Sequence, residues 1–217
     1  MKLSILIATI GQREDRFKQL LEVLRPQMKD VEILAYWNNG EKPLWEIRQA
    51  LVEEAKGEYI SFIDDDDSVP DYYVEEILKA IAEKPDYVGW RMQLWENGEK
   101  AKPTFHSIKY AEWSEDYKGW YRGISHLNPI RRDIALQVSF ETIPGEAEDQ
   151  PWTKKIAPLV KTEAYIDREM YWYIHSTADS VWRGDVKTYN PYDRPIIKLK
   201  GFRWHPLSNK HYIPGAR

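Results

Sequence analysis

The 217-residue sequence contains no cysteine. This absence excludes disulfides, thiolate metal sites and cysteine nucleophiles. Long apolar runs are also missing. The N-terminal apolar run over residues 3–10 is too short to span a membrane, and it lacks a signal-peptide cleavage region. We therefore expect a soluble, cytoplasmic protein without a transmembrane segment.

Charge is abundant but unevenly distributed. Charged residues make up 30% and hydrophobic residues 42% of the chain, a composition typical of a globular domain. The net charge of −4 combines a body of −10 over residues 1–182 (23 basic, 33 acidic) with a tail of +6 over residues 183–217 (8 basic, 2 acidic). This basic and aromatic tail is suited to contact nucleic acid, to cover a diphosphate or to pack back on the domain.

Four consecutive carboxylates, Asp64–Asp67, follow the apolar run Tyr59–Ile63. The run is short enough to be a buried strand, and Pro70 suits the first turn of a helix with Asp67 or Ser68 as its N-cap. Adjacent carboxylates repel one another, so we expect a hard cation, Mg²⁺ or Mn²⁺, bound together with a substrate's phosphates. The alternative is a capped helix start with surplus surface acids.

The chain before residue 85 contains three strand–helix units in series, and such units predict parallel strands with helices on the sheet faces. The loops after the first and third strands should then open at the same edge of the sheet. The periodicity changes after residue 85. The elements predicted there are a strand over 87–95, a hairpin turn at 96–99, a short helix over 131–138, a helix ending near 159 and two strands within 163–175.

Four stretches together resemble the family 2 glycosyltransferases of the GT-A fold. They are Ser4–Thr9, Arg48, Ala55–Asp67 and the pair Glu148–Asp149, and the resemblance covers roughly the first 160 residues. It implies an α/β fold of the GT-A type, a Rossmann-like, mainly parallel sheet with helices on both faces. The catalytic domain would be residues 1–182, with a nucleotide-binding half (1–85), an acceptor half (86–182) and a C-terminal extension (183–217).

The resemblance also implies an inverting transfer of a sugar from a nucleotide-sugar, usually a UDP-sugar, to an acceptor hydroxyl. The implied donor-binding residues are Thr9, Arg13, Asn38, Asn39, Arg48, Asp64 and Asp65. Asp64 and Asp66 of the Asp-x-Asp motif would bind Mn²⁺ or Mg²⁺, with His175 as a further ligand. The family usually ends its second strand with an Asp that contacts the base, whereas this chain has Trp37, Asn38 and Asn39 there.

Asp149 is the general base that the resemblance implies, and Glu148 is its substitute. Trp152, beside this pair, is the aromatic residue that we expect against the acceptor. Structural roles are open alternatives: Asp149 could simply begin a helix, Arg13 could pair with acids on its own helix, and His175 could be structural.

The sequence does not identify the acceptor, which could be a glycan, a protein hydroxyl or a modified DNA base. Two other functions are open. One is a nucleotidyltransferase on a similar sheet, although its usual glycine-rich loop is missing after the first strand. The other is a cation-dependent binder of carbohydrate or nucleic acid without turnover, favoured if Asp149 faces away from the donor site.

Overall fold

The computed structural model describes residues 1–38, 40 and 42–175, together with the backbone of 196–200 and 203–205. The described strands form one sheet in the order β11-β10-β2-β1-β3-β8-β4-β5-β7-β6, and β9 pairs with β4 beside this path. The strands are β1 Leu3–Ile10, β2 Val31–Asn38, β3 Tyr59–Phe62, β4 Tyr87–Glu96, β5 Glu99–His106, β6 Ser114–Glu115, β7 Trp120–Arg122, β8 Ile130–Arg131, β9 Glu163–His175, β10 Ile196–Lys200 and β11 Arg203–His205.

Five helices pack around this sheet in the described part of the chain: α1 Glu14–Leu24, α2 Leu44–Glu54, α3 Tyr73–Ala80, α4 Arg132–Ala135 and α5 Asp149–Ile156. The buried residues of α1 and α2 recur at helical spacing, so each helix places one apolar face on the sheet. None of the helices described is long and apolar enough to cross a bilayer.

The three predicted strand–helix units are confirmed. Strand β1 pairs in parallel with β2 on one side and with β3 on the other. The central strands are buried along most of their length, as expected when both faces of a parallel sheet are covered. The carboxyl ends of β1 and β3 therefore lie side by side, which brings the loop after β1 next to the four aspartates.

The second half of the described domain agrees with the sequence in part. The hairpin between β4 and β5 turns at Asn97 and Gly98, which both have positive φ as the predicted turn requires. The helix predicted over 131–138 is shorter, since α4 ends at Ala135. The prediction of two strands within 163–175 was wrong, because β9 is one 13-residue strand that follows β4 through irregularities in register instead of breaking.

Helix α3 does not begin where its sequence signals indicated. Its N-cap is Tyr72, not Asp67 or Ser68. The side chain of Gln27 supplies the cap instead, because its amide oxygen accepts a hydrogen bond from Val74 N–H at 2.9 Å while its Nε2 donates to Pro70 O at 3.0 Å. A cap from a residue 47 positions away cannot be predicted from local sequence, and it leaves Asp67 available for another contact.

Two segments of the predicted C-terminal extension join the sheet. Strand β10 pairs antiparallel with β2, and β11 pairs antiparallel with β10. The remaining residues of 183–217 lie outside the described residues. Where the backbone is described, the extension therefore continues the sheet beyond β2.

Gly57, which precedes β3, occupies a position with no room for a side chain. A Cβ atom there would lie 2.5 Å from Ser4 N and 2.7 Å from Tyr59 O. The backbone N–H of Gly57 donates to Ser4 Oγ at 2.8 Å, and this hydroxyl donates to the buried Glu32 carboxylate at 2.7 Å. Gly57 thus allows β1, β2 and β3 to be tied together at the end of the sheet opposite the aspartates.

We expect Gly57→Ala to lower the free energy of unfolding by about 2 kcal/mol or more, because backbone atoms must move to admit the methyl group. At about 2–4 °C per kcal/mol, the melting temperature should fall by several degrees. The matched control is Lys56→Ala at the exposed neighbouring position, where the change should stay within about 0.5 kcal/mol. Equal melting temperatures for Gly57→Ala and the control would show that the sheet adjusts without cost.

Candidate functional site

The site lies at the shared carboxyl edge of β1 and β3. Asp65 Oδ2 accepts a hydrogen bond from Ile10 N–H at 3.3 Å, which links the acidic loop to the end of β1. Thr9 is 2% exposed, and among the described residues its hydroxyl has no partner in hydrogen-bond geometry. The two strand ends predicted to meet at a nucleotide site are therefore in direct contact.

Arg13 neutralises two of the four aspartates. Its Nη1 lies 2.8 Å from Asp65 Oδ1, and its Nη2 lies 2.8 Å from Asp66 Oδ2. The alternative in which Arg13 pairs with acids of its own helix is thus not the arrangement observed. Held by two carboxylates at the end of β1, Arg13 is a fixed positive charge at the mouth of the site.

Asp67 is buried and turned away from this opening. Its carboxylate accepts hydrogen bonds from Tyr171 Oη at 2.8 Å and from Ile174 N–H at 2.8 Å. The same tyrosine hydroxyl accepts a bond from Asp64 N–H at 3.0 Å. Strand β9 therefore fixes the acidic loop. Burial raises the pKa of Asp67 well above its usual value, and the negative charges of Asp64 and Asp66 raise it further.

Arg48 joins the two acidic motifs. The residue is 3% exposed, and its Nη2 lies 3.1 Å from Asp64 Oδ1 while its Nε lies 3.0 Å from Glu148 Oε1. Its guanidinium also lies 5.1 Å from the centre of the Phe62 ring. One buried arginine on α2 thus places the acid-rich loop after β3 opposite the start of α5, 84 residues later in the chain.

Asp149 is the first residue of α5, where the helix dipole favours a negative charge. Its Oδ2 lies 3.2 Å from Nδ1 of His126, a residue that is 7% exposed. Burial opposes ionisation of Asp149, but the contact with His126 and the charges of Arg48 and Arg122 outweigh it. The pKa of Asp149 is therefore held below its usual range, so this carboxylate is ionised throughout the neutral range.

The carboxylates of the acidic loop after β3 differ in pKa and in exposure. Burial raises the pKa of Asp65 to about 6 despite the opposing charge of Arg13. Burial, followed by the charge of Asp64, also raises the pKa of Asp66. The side chains of Asp64 and Asp66 remain 31% and 24% exposed, against 3% for Asp65. Only the first and third aspartates of the series are thus accessible to a ligand.

The accessible oxygens suit a hard divalent cation. Mg²⁺ is commonly held by one or two protein carboxylates and completed by substrate phosphates, and Asp64 and Asp66 supply such a pair. In the described part of the chain, no group of three or more His, Asp or Glu side chains is arranged as a metal site. The donor set fits a cation that a phosphate-bearing ligand helps to bind.

Several residues predicted for the site have other roles or positions. The Asn38 side chain closes its own turn, since its Oδ1 accepts from Gly40 N–H at 3.2 Å and its Nδ2 donates to Lys42 O at 3.0 Å. Asn39 lies outside the described residues. His175 ends β9 opposite Glu96, and its role as a metal ligand stays a prediction.

The prediction that Trp152 faces the acceptor was wrong. Trp152 is completely buried and stacks on Phe140, with ring centres 4.8 Å apart and planes 3° from parallel. The buried face of α5 consists of Pro151, Trp152 and Ile156, so the helix turns this indole into the core. Proximity in sequence to the candidate base was an insufficient signal.

Sequence reasoning missed four residues that contribute to the site. His126 and Arg122 come from the segment before β8, whose sequence has no helical or strand periodicity. Tyr171 and Tyr173 come from β9, where they were indistinguishable from other core aromatics; the partly exposed Tyr173 lies within electrostatic range of the aspartates. Alternation along β9 could have placed these two tyrosines on one face.

The fold and the site define an α/β domain whose carboxylates lie at the carboxyl edge of its parallel strands, the edge at which ligands bind in open α/β sheets. Residues 11–172 match the family model described as glycosyl transferase family 2, and the chain belongs to that family. EpsH of Bacillus subtilis (strain 168), named as a putative glycosyltransferase, is 26% identical over an alignment of 160 residues, and the match covers 66% of this chain and 45% of EpsH.

Solved structures share the fold. The crystal structure of S. aureus TarS 1–349 has a TM-score of 0.63 and 18% identity, covering 80% of this chain and 60% of that one. The same fragment in complex with UDP-GlcNAc has a TM-score of 0.61 and 15% identity, over 88% and 62% of the two chains. The predicted GT-A fold is confirmed, while the chain spans 45% to 62% of the length of these relatives.

Proposed function

We propose that this domain transfers a sugar from a UDP-sugar to an acceptor hydroxyl with inversion at the anomeric carbon. The observation that carries the proposal is the Arg48 bridge, which places the Asp64–Asp66 carboxylates opposite Glu148 and Asp149. Family membership and the fold shared with UDP-bound TarS support the same activity. The family match also favours transfer over the nucleotidyltransferase alternative.

In this proposal each part of the site has one task. Asp64 and Asp66 would hold Mg²⁺ or Mn²⁺, which neutralises the charge that develops on the departing diphosphate. Arg13 lies beside them as a protein cation near the phosphates. Asp149 accepts the proton of the acceptor hydroxyl as that oxygen attacks, on the face opposite the leaving group.

Asp149 is better placed than Glu148 to act as the base. Glu148 directs Oε1 to Arg48 at 3.0 Å and so serves to orient that arginine. Asp149 makes its contact with His126 through Oδ2 and is 23% exposed, so its carboxylate can meet a ligand. The Asp149 carboxylate is also close enough to Arg48 for that charge to lower its pKa. Because Arg48 binds Asp64 as well, this proximity disfavours the alternative of a binder without turnover.

The test is thermal stability with a panel of UDP-sugars, with and without Mn²⁺. A ligand at a hundred times its Kd adds about 2.7 kcal/mol to stability, which is a clearly measurable shift in melting temperature. We expect one UDP-sugar to give a Mn²⁺-dependent shift in the wild type that is lost in Asp66→Asn. The matched control is Asp71→Asn, an exposed aspartate in the same loop, which should keep the full shift.

The proposal would be abandoned if a folded wild type showed no shift with any UDP-sugar, with or without Mn²⁺. The stereochemistry is tested separately with the sugar identified in this way. NMR of the first product formed should show the anomeric configuration opposite to that of the donor, and retention of configuration would contradict the inverting mechanism.

A further inference from the structure

Arg122, at the end of β7, is a half-buried positive charge that lies against an exposed tryptophan. Within the described residues, its guanidinium has neither a hydrogen-bond nor an ion-pair partner. The side chain is nevertheless half-buried, and burial lowers its pKa. Removing a guanidinium from water without pairing it is unfavourable, so an arrangement of this kind indicates a ligand that completes it.

The guanidinium is held in a defined orientation. It lies 3.8 Å from the centre of the Trp113 ring, close enough for a cation–π contact. Trp113 is itself 64% exposed, so the stack lies at the surface and not in the core. A planar guanidinium fixed on an aromatic face presents its edge to a carboxylate or phosphate.

The groups around Arg122 are largely neutral. His106 and Tyr87 are buried, which lowers the pKa of His106 to about 4 and raises that of Tyr87. Burial, followed by the charges of the aspartates, also raises the pKa of Tyr173. The anion in range is Asp149, whose carboxylate already contacts His126 and feels the charge of Arg48.

This location connects Arg122 with the acceptor. Asp149 is the group that would contact the reacting hydroxyl, and Arg122 lies within electrostatic range of it without binding it directly. The exposed indole of Trp113, which lies against Arg122, suits the face of a sugar ring. The donor's diphosphate, by contrast, is expected near Asp64, Asp66 and Arg13.

We propose that Arg122, held by Trp113, forms an acceptor subsite for a carboxylate or phosphate on a sugar, beside the hydroxyl that Asp149 activates. The acceptor would accordingly be an anionic saccharide, such as a uronic acid or a sugar phosphate. This inference rests on the proposed transferase function, whose own test is the binding of a UDP-sugar.

The experiment measures dissociation constants by NMR titration for D-glucuronate, D-glucose 6-phosphate and D-glucose, on the full chain saturated with UDP and diamagnetic Mg²⁺. Hydrogen bonds to a charged group favour an anionic sugar by about tenfold to a hundredfold over glucose in the wild type. Whichever of the two anionic sugars binds more tightly shows whether the acceptor carries a carboxylate or a phosphate.

Variants assign the preference to Arg122. Arg122→Gln should reduce the affinity for the anionic sugar to that for glucose while UDP affinity stays within about twofold. Trp113→Ala changes a residue that is 64% exposed, and it should weaken the binding of the anionic sugar severalfold. Lys118→Gln removes one positive charge from an exposed lysine that lies over the Tyr117 ring, and it should leave the dissociation constants of all three sugars unchanged.

Three outcomes would overturn the inference while leaving UDP-sugar binding intact. Glucose could bind as tightly as both anionic sugars, or none of the three sugars could bind. Alternatively, Arg122→Gln could weaken the binding of UDP as strongly as that of the anionic sugar, which would assign the guanidinium to the donor's diphosphate. Failure of UDP-sugar binding itself would instead refute the proposed function.

Discussion

Replacing Asp149 with Asn should reduce kcat by about 10²- to 10⁴-fold, the usual contribution of a positioned general base. Asn is nearly the same size as Asp and can keep the contact with His126, but it cannot take up a proton. Because Asp149 is not among the expected donor-binding residues, the Kd of UDP should change little. The measurement is UDP release from the UDP-sugar identified by thermal shift, together with calorimetric titration of UDP.

The control for this variant is Asp167→Asn. The Asp167 side chain is 83% exposed and lies 3.4 Å from Arg91, so the same change in charge is made far from the proposed chemistry. Its kcat should equal that of the wild type. A kcat for Asp149→Asn within about tenfold of the wild type would remove Asp149 from the role of base and would direct attention to Glu148.

The lowered pKa of Asp149 adds a pH-dependent signature. A carboxylate with a folded-state pKa below its unfolded value of about 4 adds stability above that value, and this contribution is lost as the pH falls. The difference in melting temperature between wild type and Asp149→Asn should therefore be largest near neutral pH and should shrink in acid. A difference independent of pH would mean that the ionised form of Asp149 is not the form that the fold stabilises.

The parallel sheet was predictable because its signals are local. Each of the first three strands is a short apolar run followed by a helix with periodic apolar residues, and parallel pairing then places their carboxyl ends together. The acidic loop after β3 could be assigned to that edge for the same reason. The start of α3 could not be placed, since its cap comes from Gln27, far away in the sequence.

The roles of the individual site residues were harder to predict from the sequence than the location of the site. Four adjacent aspartates look equivalent in sequence, yet Tyr171 and Ile174 bury Asp67 while Asp64 and Asp66 stay accessible. That distinction depends on which residues of β9 cross the loop, and the register of β9 is irregular. His126 and Arg122 were missed because nothing in their own segment predicts that it packs against the start of α5.

Arg48 holds the site together, and its replacement should have a large effect on stability. In Arg48→Met, the carboxylates of Asp64 and Glu148 lose their common partner, and removing one member of a buried pair costs about 3–5 kcal/mol. Since the two carboxylates are 31% and 17% exposed, water can reach them, and we expect a loss near the lower end of that range. At about 2–4 °C per kcal/mol, the melting temperature should fall by roughly 6–12 °C.

A double-mutant cycle separates the ion pair from packing on Phe62. Glu148→Gln removes one charge that Arg48 neutralises, so adding it to Arg48→Met should cost less than the sum of the two single changes, by about 0.5–3 kcal/mol. Additive losses would mean that Arg48 stabilises the fold through its contact with the ring and not as a bridge. In that case Asp64 and Glu148 would be positioned independently, and the Arg48 bridge would no longer support the proposed function.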